Sequence, residues 1–226
     1  MANDAWHFPQ ARILVFCRAP EAGQVKTRLA ADIGAAAAAA CHHALALHTL
    51  ATVHAAGLAP VWLCGAPHTR HPFFARCAAR WPLSLHDQQG GDLGARMHTA
   101  LQAALAEAEF ALVIGTDCPL LTADYLRRAL SLLHAGRPAV LGPAADGGYV
   151  MLGLRRSDGR LFSDIPWGSD AVLAITRRRL PPAAAELPMR WDVDYLRDLE
   201  RLADAVESLP PGPLTAYLRT ASWRRG

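Results

Sequence analysis

Unbroken apolar runs recur along the chain, and each gives way to glycine, proline or polar residues. Residues 12–17 and 110–114 are apolar almost throughout, without the alternation of a half-exposed strand. Strands covered on both faces of a parallel sheet show this pattern. Helical segments at 35–56 and 122–134 lie between such runs. The alternation of strands and helices predicts a βαβ architecture with a mainly parallel sheet.

Shorter segments complete this pattern. Further strands are predicted at 58–64, 83–86, 138–142 and 150–154, and further helices at 72–80, 93–108, 170–180 and 195–206. The run 150–154 follows the turn Asp146-Gly147-Gly148 with no crossover helix before it. One antiparallel strand is therefore expected near the C-terminal part of the sheet.

Length and composition favour a single α/β domain spanning residues 1–226. The 226 residues are 52% hydrophobic, enough for a sizeable core, and neither a repeat nor a linker divides them. A net charge of +3 is too small to indicate a nucleic-acid binder, and the arginine clusters 177–179 and 224–225 are expected on the solvated surface.

Cysteine usage and hydropathy bear on location. The five cysteines are scattered and form no CxxC pair, which is typical of reduced thiols. No apolar run reaches the roughly 18 residues that span a membrane, and the first ten residues lack the apolar core of a signal peptide. A cytoplasmic protein is expected.

Asp117 is the first candidate functional residue. It lies just beyond the carboxyl end of the buried strand 110–114, where open α/β sheets bind ligands. A carboxylate there is costly unless it is paired, and a divalent metal that carries a nucleotide diphosphate would pair it. The alternative is an aspartate that only caps its own turn.

A basic loop follows the first strand. Residues 18–29 contain Pro20, Gly23 and Lys26, and Lys26 is the only lysine among twenty-three basic residues. A lysine kept against this arginine bias indicates a point charge on phosphate, because a planar guanidinium needs more room. Cations between a first strand and a helix are typical of phosphate sites, although neither a Walker motif nor GxGxxG is present.

Two glycine-rich turns add polar groups. In the first, Asp92 is predicted to cap the helix that follows, and Arg96 is one turn further on, within reach of a ligand over the sheet edge. In the second, Gly147 and Gly148 let a substrate approach the backbone closely beside Asp146, although Asp-Gly is also a common hairpin turn.

Taken together, several motifs resemble one known family. They are RAPxxGxVKTRL at 18–29, GTDCP at 115–119, GPAxDGGY at 142–149, Trp167-Gly168 and DVDxxxDL at 192–199. In this order they resemble the bacterial glycosyltransferase-like family of the arsenosugar-biosynthesis or radical-SAM-associated type, within the nucleotide-diphospho-sugar transferase superfamily. The resemblance implies a three-layer α/β/α, Rossmann-like GT-A fold and the use of nucleotides.

The resemblance also assigns roles to residues. It implies that Mg²⁺ or Mn²⁺ binds Asp117 and a second carboxylate of the late acidic motif. Of that motif we favour Asp192, because Asp194 is predicted to cap the following helix. The nucleotide phosphates would contact the basic loop and Arg96. The loop residues concerned are Arg18, Ala19, Pro20, Gly23, Lys26, Thr27 and Arg28.

Three functions remain open at this point. The first is glycosyl transfer from a nucleotide sugar to a small acceptor, with Asp117, Lys26 and Asp146 as catalytic residues and Asp146 as the general base or a ligand of the sugar hydroxyls. The second is nucleotidyl transfer to a phosphorylated acceptor. The third is a non-catalytic nucleotide-binding partner. Asp146, Gly147, Gly148 and Trp167 are the expected substrate-binding residues, although Trp167 could equally be a core residue.

Overall fold

Every buried apolar run becomes a strand of one seven-stranded sheet. The computed structural model describes residues 6–220 and 223, so Arg224 and Arg225 lie outside the described residues. The strands are β1 (Ala11–Arg18), β2 (Val61–Ala66), β3 (Leu83–Asp87), β4 (Phe110–Ile114), β5 (Ala139–Pro143), β6 (Tyr149–Leu154) and β7 (Ala185–Glu186).

Eight α-helices connect or flank these strands in the described part of the chain. They are α1 (Thr27–Ile33), α2 (Ala35–Ala56), α3 (Pro72–Arg80), α4 (Leu93–Leu105), α5 (Ala123–His134), α6 (Val172–Arg179), α7 (Leu196–Asp204) and α8 (Pro213–Thr220). None of these helices combines the length and apolar character that a membrane span requires.

The sheet is buried on both faces. Ile13 and Val15 belong to one apolar cluster with residues of α2, α3 and α5, whereas Leu14 and Phe16 belong to a second cluster with residues of α4 and α6. Successive side chains of β1 thus enter opposite cores, which explains why the strand shows no polar alternation. The predicted three-layer α/β/α fold is confirmed.

The strand order is β3-β2-β1-β4-β6-β5-β7. All neighbouring strands are parallel except for β6, which is antiparallel to both β4 and β5. The five residues 144–148 join β5 to β6 as a hairpin, in which the Ala144 amide donates to Gly148 O at 3.0 Å. The expected antiparallel strand is therefore β6.

The direction of strand addition reverses between β1 and β4. From β1 the chain adds β2 and β3 on one side, and β4 then pairs with the other side of β1. Loops that leave β1 and β4 consequently diverge, and a crevice opens at the carboxyl ends of the two strands. The basic loop and Asp117 both follow these two strand ends.

Two elements are absent from the pattern-based prediction. Strand β7 pairs with β5 through only two residues, too few to show any periodicity. Helix α8 follows the proline-rich residues 210–213 and packs against α2, where Tyr217 Oη donates to Ala37 O at 3.1 Å. Helices α1, α2, α7 and α8 share a third apolar cluster, which includes Leu29 and Leu199.

Candidate active site

A cavity of about 690 Å³ opens at the carboxyl ends of β1 and β4. Its polar lining comes from the basic loop, the α4 turn, the segment after β4 and the acidic segment before α7. The charged and polar side chains that line it are Arg18, Gln24, Lys26, Thr27, Arg28, His42, Gln88, Asp92, Arg96, Thr116, Asp117, Asp192 and Asp194.

Lys26 is held at the centre of an acidic cluster. Its Nζ is 2.7 Å from Asp117 Oδ1 and 3.0 Å from Asp194 Oδ1, and only 3% of its side chain is exposed. Burial alone would lower the pKa of Lys26, but the two carboxylates outweigh that effect and raise the pKa above its usual value. Lys26 is therefore a permanently charged ammonium.

The backbone of Lys26 adopts the left-handed conformation, with φ 49° and ψ 44°, immediately before α1. Residues other than glycine adopt it rarely and at some cost in free energy. With this conformation the basic loop ends at α1 and the Lys26 side chain points towards Asp117.

Asp117 is an ionised carboxylate. Burial would raise the pKa of Asp117, but the neighbouring Lys26 and His42 outweigh it and hold the pKa well below its usual range. The carbonyl of Asp117 accepts a hydrogen bond of 3.0 Å from the Val193 amide, which ties the end of β4 to the acidic segment 192–194.

The pKa of Asp192 is shifted in the opposite direction to that of Asp117. Burial, together with the charge of Asp117, raises the pKa of Asp192 to about 8, and Lys26 offsets only part of this rise. Its negative charge is thus under-compensated by the protein's own cations. A carboxylate pair in this state suits an added cation.

The donor set fits a hard divalent cation held partly by its substrate. No group of three or more His, Cys, Asp or Glu side chains in residues 6–220 and 223 is arranged to hold a metal ion. Mg²⁺ and Mn²⁺, however, commonly take one or two carboxylates and complete their coordination with phosphate oxygens and water. Asp117 and Asp192 line the same cavity and could supply that pair.

The prediction that Asp194 caps the following helix is wrong. Helix α7 begins at Leu196, and the amides of Asp194 and Tyr195 instead donate to Asp198 Oδ2, at 3.1 and 2.9 Å. Asp198 lies within the first turn and captures these amides, so the Asp194 carboxylate is free to pair with Lys26. Arg28 also approaches Asp194, with NH1 3.6 Å from Oδ2.

The basic loop contributes only part of its predicted residues to the cavity. Arg18, Lys26, Thr27 and Arg28 line it. Ala19 is buried, and its amide donates to Ala66 O at 2.8 Å. Neither Ala19, Pro20 nor Gly23 lines the cavity, so these three shape the loop. Gly23 has φ +78°, which explains why glycine stands at that turn.

The α4 turn places further polar groups on the opposite wall. Asp92 Oδ1 accepts from the Ala95 amide at 2.7 Å, so the predicted cap is confirmed. Arg96 lines the cavity, and its Nε donates to Gly90 O at 3.1 Å. Gln88, which the sequence did not single out, lines the cavity and donates from Nε2 to Cys64 O at 2.8 Å.

His42 is the most informative residue that sequence reasoning missed. Its Nδ1 lies 3.7 Å from Asp117 Oδ1, and its Nε2 is 3.0 Å from Arg18 O. Because a carbonyl can only accept, Nε2 carries a proton. In the sequence, His42 is one of several histidines in the alanine-rich helix α2. Only the fold shows that it lies on the buried face of this helix, beside Asp117.

The Asp146 turn lies at a second, neighbouring cavity of about 220 Å³, which Asp146, Gly148 and Trp167 line. Asp146 Oδ1 accepts from the Gly148 amide at 2.9 Å, so the turn role is real. Gly147 lies outside the lining and packs on Asp170, whose carbonyl an added Cβ would overlap. Asp146 therefore lines this second cavity and not the first, whereas Asp192 lines both.

Comparison with models of protein families identifies the family of this chain. Residues 49–169 match the family model described as an uncharacterized protein conserved in bacteria, DUF2064. That span covers more than half of the chain. The protein belongs to the DUF2064 family. A search of curated proteins finds no significant match.

Solved structures show the same fold as this DUF2064 member. A protein from Desulfovibrio desulfuricans G20 that bears the provisional name nucleotide-diphospho-sugar transferase has a TM-score of 0.85 and 28% identity, with 96% of this chain and 98% of that chain covered. A cytidylyltransferase from Leptospira borgpetersenii has a TM-score of 0.59 and 16% identity, with 94% and 93% covered.

A third structure contains a metal. The manganese complex of Rv0371c from Mycobacterium tuberculosis H37Rv has a TM-score of 0.53 and 18% identity, with 85% of this chain and 97% of that chain covered. At these identities the second and third similarities concern the fold alone. The narrower assignment to an arsenosugar-biosynthesis or radical-SAM-associated type stays a prediction.

Proposed function

We propose that this DUF2064 protein is a metal-dependent transferase that uses a nucleotide-activated donor, and that it transfers a glycosyl group from a nucleotide-diphospho-sugar to a small acceptor. The observation that carries the proposal is the cluster of Lys26, Asp117 and Asp192 at the reversal point of the sheet. It combines a fixed cation, an ionised carboxylate at Asp117 and a second carboxyl group, Asp192, whose charge the protein does not balance. The likeness to the Desulfovibrio protein supports the same choice of donor.

The cavity next to this cluster suits a diphosphate. Arg18, Arg28 and Arg96 line its walls, and all three carry guanidinium groups that bind phosphate oxygens well. Lys26 contributes a compact charge at the end of the basic loop. These cations stabilise the negative charge that grows on the departing diphosphate.

A divalent metal at Asp117 and Asp192 would supply further charge stabilisation for the diphosphate. In glycosyl transfer, an acceptor oxygen bonds to the anomeric carbon while the bond from that carbon to the β-phosphate oxygen breaks. The nucleoside diphosphate leaves with the electron pair, and the acceptor proton passes to a base. Asp146 is the proposed base, since one of its carboxylate oxygens is used within its own turn and the other makes no hydrogen bond to a described residue.

Nucleotidyl transfer is the second candidate, because the cytidylyltransferase from Leptospira shares the fold. There a phosphorylated acceptor would attack the α-phosphate of a nucleoside triphosphate, and pyrophosphate would leave. The Pro20/Gly23 loop differs from the glycine-rich loop of the superfamily's nucleotidyltransferases, which favours sugar transfer. A nucleotide-binding partner without catalysis is the third.

Thermal shift with a panel of nucleotides and nucleotide sugars, with and without Mn²⁺, tests these functions. Metal-dependent stabilisation by UDP- or GDP-sugars supports glycosyl transfer, and a preference for an intact triphosphate supports nucleotidyl transfer. If no nucleotide shifts the Tm, both enzymatic functions are excluded. If nucleotides bind but no combination of donor and acceptor is turned over, the non-catalytic nucleotide-binding partner is the function that remains.

Asp117→Asn sharpens the test. Loss of the carboxylate charge should reduce Mn²⁺-dependent nucleotide affinity by about tenfold or more, since a metal ligand is weakened. Asp124→Asn is the matched control, because Asp124 is exposed on α5 and pairs there with Arg127. Unchanged affinity in Asp117→Asn would remove Asp117 from the metal assignment.

A further inference from the structure

The second cavity, called here the side chamber, shares a wall with the larger cavity. Phe16, Leu93, Tyr149 and Asp192 line both. On the proposed function the donor diphosphate lies beside Lys26, so the side chamber borders the place where the transferred group would be attacked. The chemistry of its lining therefore bears on the acceptor.

The body of the side chamber is apolar and buried. Met97, Val113, Ile114, Val150 and Val172 line it, and each is no more than 4% exposed. Its volume of about 220 Å³ exceeds the roughly 150 Å³ in which an apolar protein cavity can hold one benzene ring. One ring or a short branched chain would fill it.

The charges of the side chamber are of one sign. Asp146 and Asp192 are the acidic residues in its lining, and no lysine, arginine or histidine of the described chain joins them. The larger cavity, by contrast, is lined by Arg18, Lys26, Arg28 and Arg96. A phosphate in the side chamber would lose water and meet the Asp146 carboxylate, with no basic side chain in the lining to pair with it, which is unfavourable.

The walls of the side chamber are closely packed. The Trp167 indole lies against Gly94, where an added Cβ would be 2.6 Å from its Nε1, and its ring meets Tyr149 edge-on at 6.4 Å. On the other side, Gly147 is packed against Asp170. These contacts hold Trp167 and the Asp146 turn in place on two sides of the side chamber.

We propose that the side chamber is the acceptor site and that it selects an acceptor with a compact apolar body and an uncharged hydroxyl or a cationic amine, and rejects phosphorylated acceptors. The acceptor hydroxyl, or the amine after its ammonium has released one proton to solvent, then forms the bond to the anomeric carbon as the bond to the donor phosphate breaks. The nucleoside diphosphate leaves with the electron pair, and the proton displaced from the attacking oxygen or nitrogen passes to Asp146. This inference rests on the proposed function and favours sugar transfer over nucleotidyl transfer to a phosphate.

Three probes with one body test the selection: benzyl alcohol, benzylamine and benzyl phosphate. Binding is measured on the full chain, labelled with ¹⁵N at tryptophan, from the shift of the Trp167 indole N–H, which Trp167→Phe assigns. The alcohol and the amine should shift this signal in a saturable manner. Benzyl phosphate should bind there at least about tenfold more weakly, which corresponds to 1.4 kcal/mol.

A charge variant separates head-group recognition from apolar packing. Asp146→Asn keeps the bond to the Gly148 amide but removes one carboxylate, so affinity for benzylamine should fall by about twofold to fivefold while benzyl alcohol changes less. Asp124→Asn should leave both affinities unaltered. Val172→Phe should block all three probes, and Asp146→Asn keeps the test decisive if that variant does not fold.

Two results overturn the proposal: equal or tighter binding of benzyl phosphate at Trp167, or no saturable shift with any probe. Mn²⁺-dependent nucleotide binding is measured on the same sample. If no nucleotide binds but benzyl phosphate still binds more weakly than the alcohol and the amine, the transferase assignment is wrong and the selectivity of the side chamber is confirmed. If nucleotides bind but benzyl phosphate binds as tightly as the other two probes, the proposed selectivity of the side chamber is wrong and the transferase assignment is unaffected.

Discussion

At the scale of single residues, Lys26 is held by geometry as well as charge. Its ammonium fits between Asp117 and Asp194, 2.7 and 3.0 Å away, and its backbone accepts a left-handed conformation to reach them. A guanidinium is wider and planar, so it cannot take the same central position without moving a carboxylate. The arrangement gives a physical reason for lysine at this position.

Lys26→Arg is therefore expected to weaken Mn²⁺-dependent nucleotide binding by about tenfold, even though the charge is kept. Nucleotide titration followed by calorimetry measures the change. Arg127→Lys is the matched control, because Arg127 is 45% exposed, pairs with Asp124 and does not line the cavity, and nucleotide affinity should stay within about threefold. If Lys26→Arg binds nucleotide with wild-type affinity, position 26 does not require lysine, and the presence of a single lysine in the chain has no functional meaning.

Asp192 predicts a pH effect of definite sign. Its pKa of about 8 in the folded chain lies above the value of an unfolded aspartate, so the folded state binds the extra proton between about pH 4 and pH 8. Its contribution to stability is greatest below pH 4 and is lost as the pH rises through 8. Asp117, whose pKa is lowered, contributes stability above about pH 4 that is lost on acidification.

In the presence of EDTA, Asp192→Asn should consequently raise the Tm more at pH 8.5 than at pH 5. About 1 kcal/mol, or 2–4 °C for a chain of this size, is the expected difference at the higher pH. Differential scanning calorimetry at the two values provides the measurement, with Asp124→Asn as the exposed control. A gain that is equal at both pH values would contradict the assigned burial of the charge.

At the scale of elements, the glycine turns fix how helices approach the site. Gly94 is buried in the first turn of α4, where an added Cβ would lie 2.6 Å from the Trp167 ring and 2.7 Å from the backbone oxygen of Phe162. Only glycine lets the loop 161–169 close on this helix. The contact forms one wall of the side chamber.

Gly94→Ala should destabilise the fold by about 1–3 kcal/mol, because the added methyl group forces the indole or the Phe162 backbone to shift. Chemical denaturation followed by tryptophan fluorescence measures both the stability and the altered setting of Trp167. Gly91→Ala is the control, since a Cβ there meets nothing within 4 Å. Equal stability of the two variants would mean that the loop yields freely.

At the scale of the whole molecule, one continuous sheet carries a core on each face, so the two cores cannot separate without breaking the sheet. All five cysteines are buried and reduced. Burial raises the pKa of each thiol; for Cys64 it reaches about 12 and for Cys77 about 11. The thiols are poor nucleophiles while the chain is folded.

The chain should therefore unfold in one calorimetric transition, and all five thiols should react with a disulfide reagent together with that transition. Calorimetry and thiol labelling across a denaturant series measure the two events. Separate transitions, or early reaction of a subset of thiols, would contradict the predicted single domain of residues 1–226.

The sequence predicted the fold well because its signals are local. Unbroken apolar runs identified β1 and β4, and the helices predicted at 35–56 and 72–80 have the same bounds as α2 and α3. The missing crossover helix before β6 indicated its antiparallel direction. Strand β7 gave no signal, since its two residues are ordered by β5 and not by their own pattern.

The sequence was less informative on the site. It indicated that Asp117 and the basic loop each follow a buried strand, but it placed Asp194 in a cap that Asp198 fills. It gave no reason to associate His42, on α2, with Asp117. Nor could it separate Asp146 from the Lys26 cluster, because both follow strand ends on the same edge of the sheet.

By itself, then, the sequence determined the order of strands and helices, the burial of the sheet on both faces and the residue types gathered at its carboxyl edge. These depend on neighbours along the chain. Tertiary structure alone decided which carboxylates face Lys26, that His42 supports Asp117, and that Asp192 borders two cavities. The contacts of Lys26 and His42 with these carboxylates join residues 75 to 168 positions apart (117 − 42 = 75 for His42 and Asp117), and only the paired strands and packed helices bring them together.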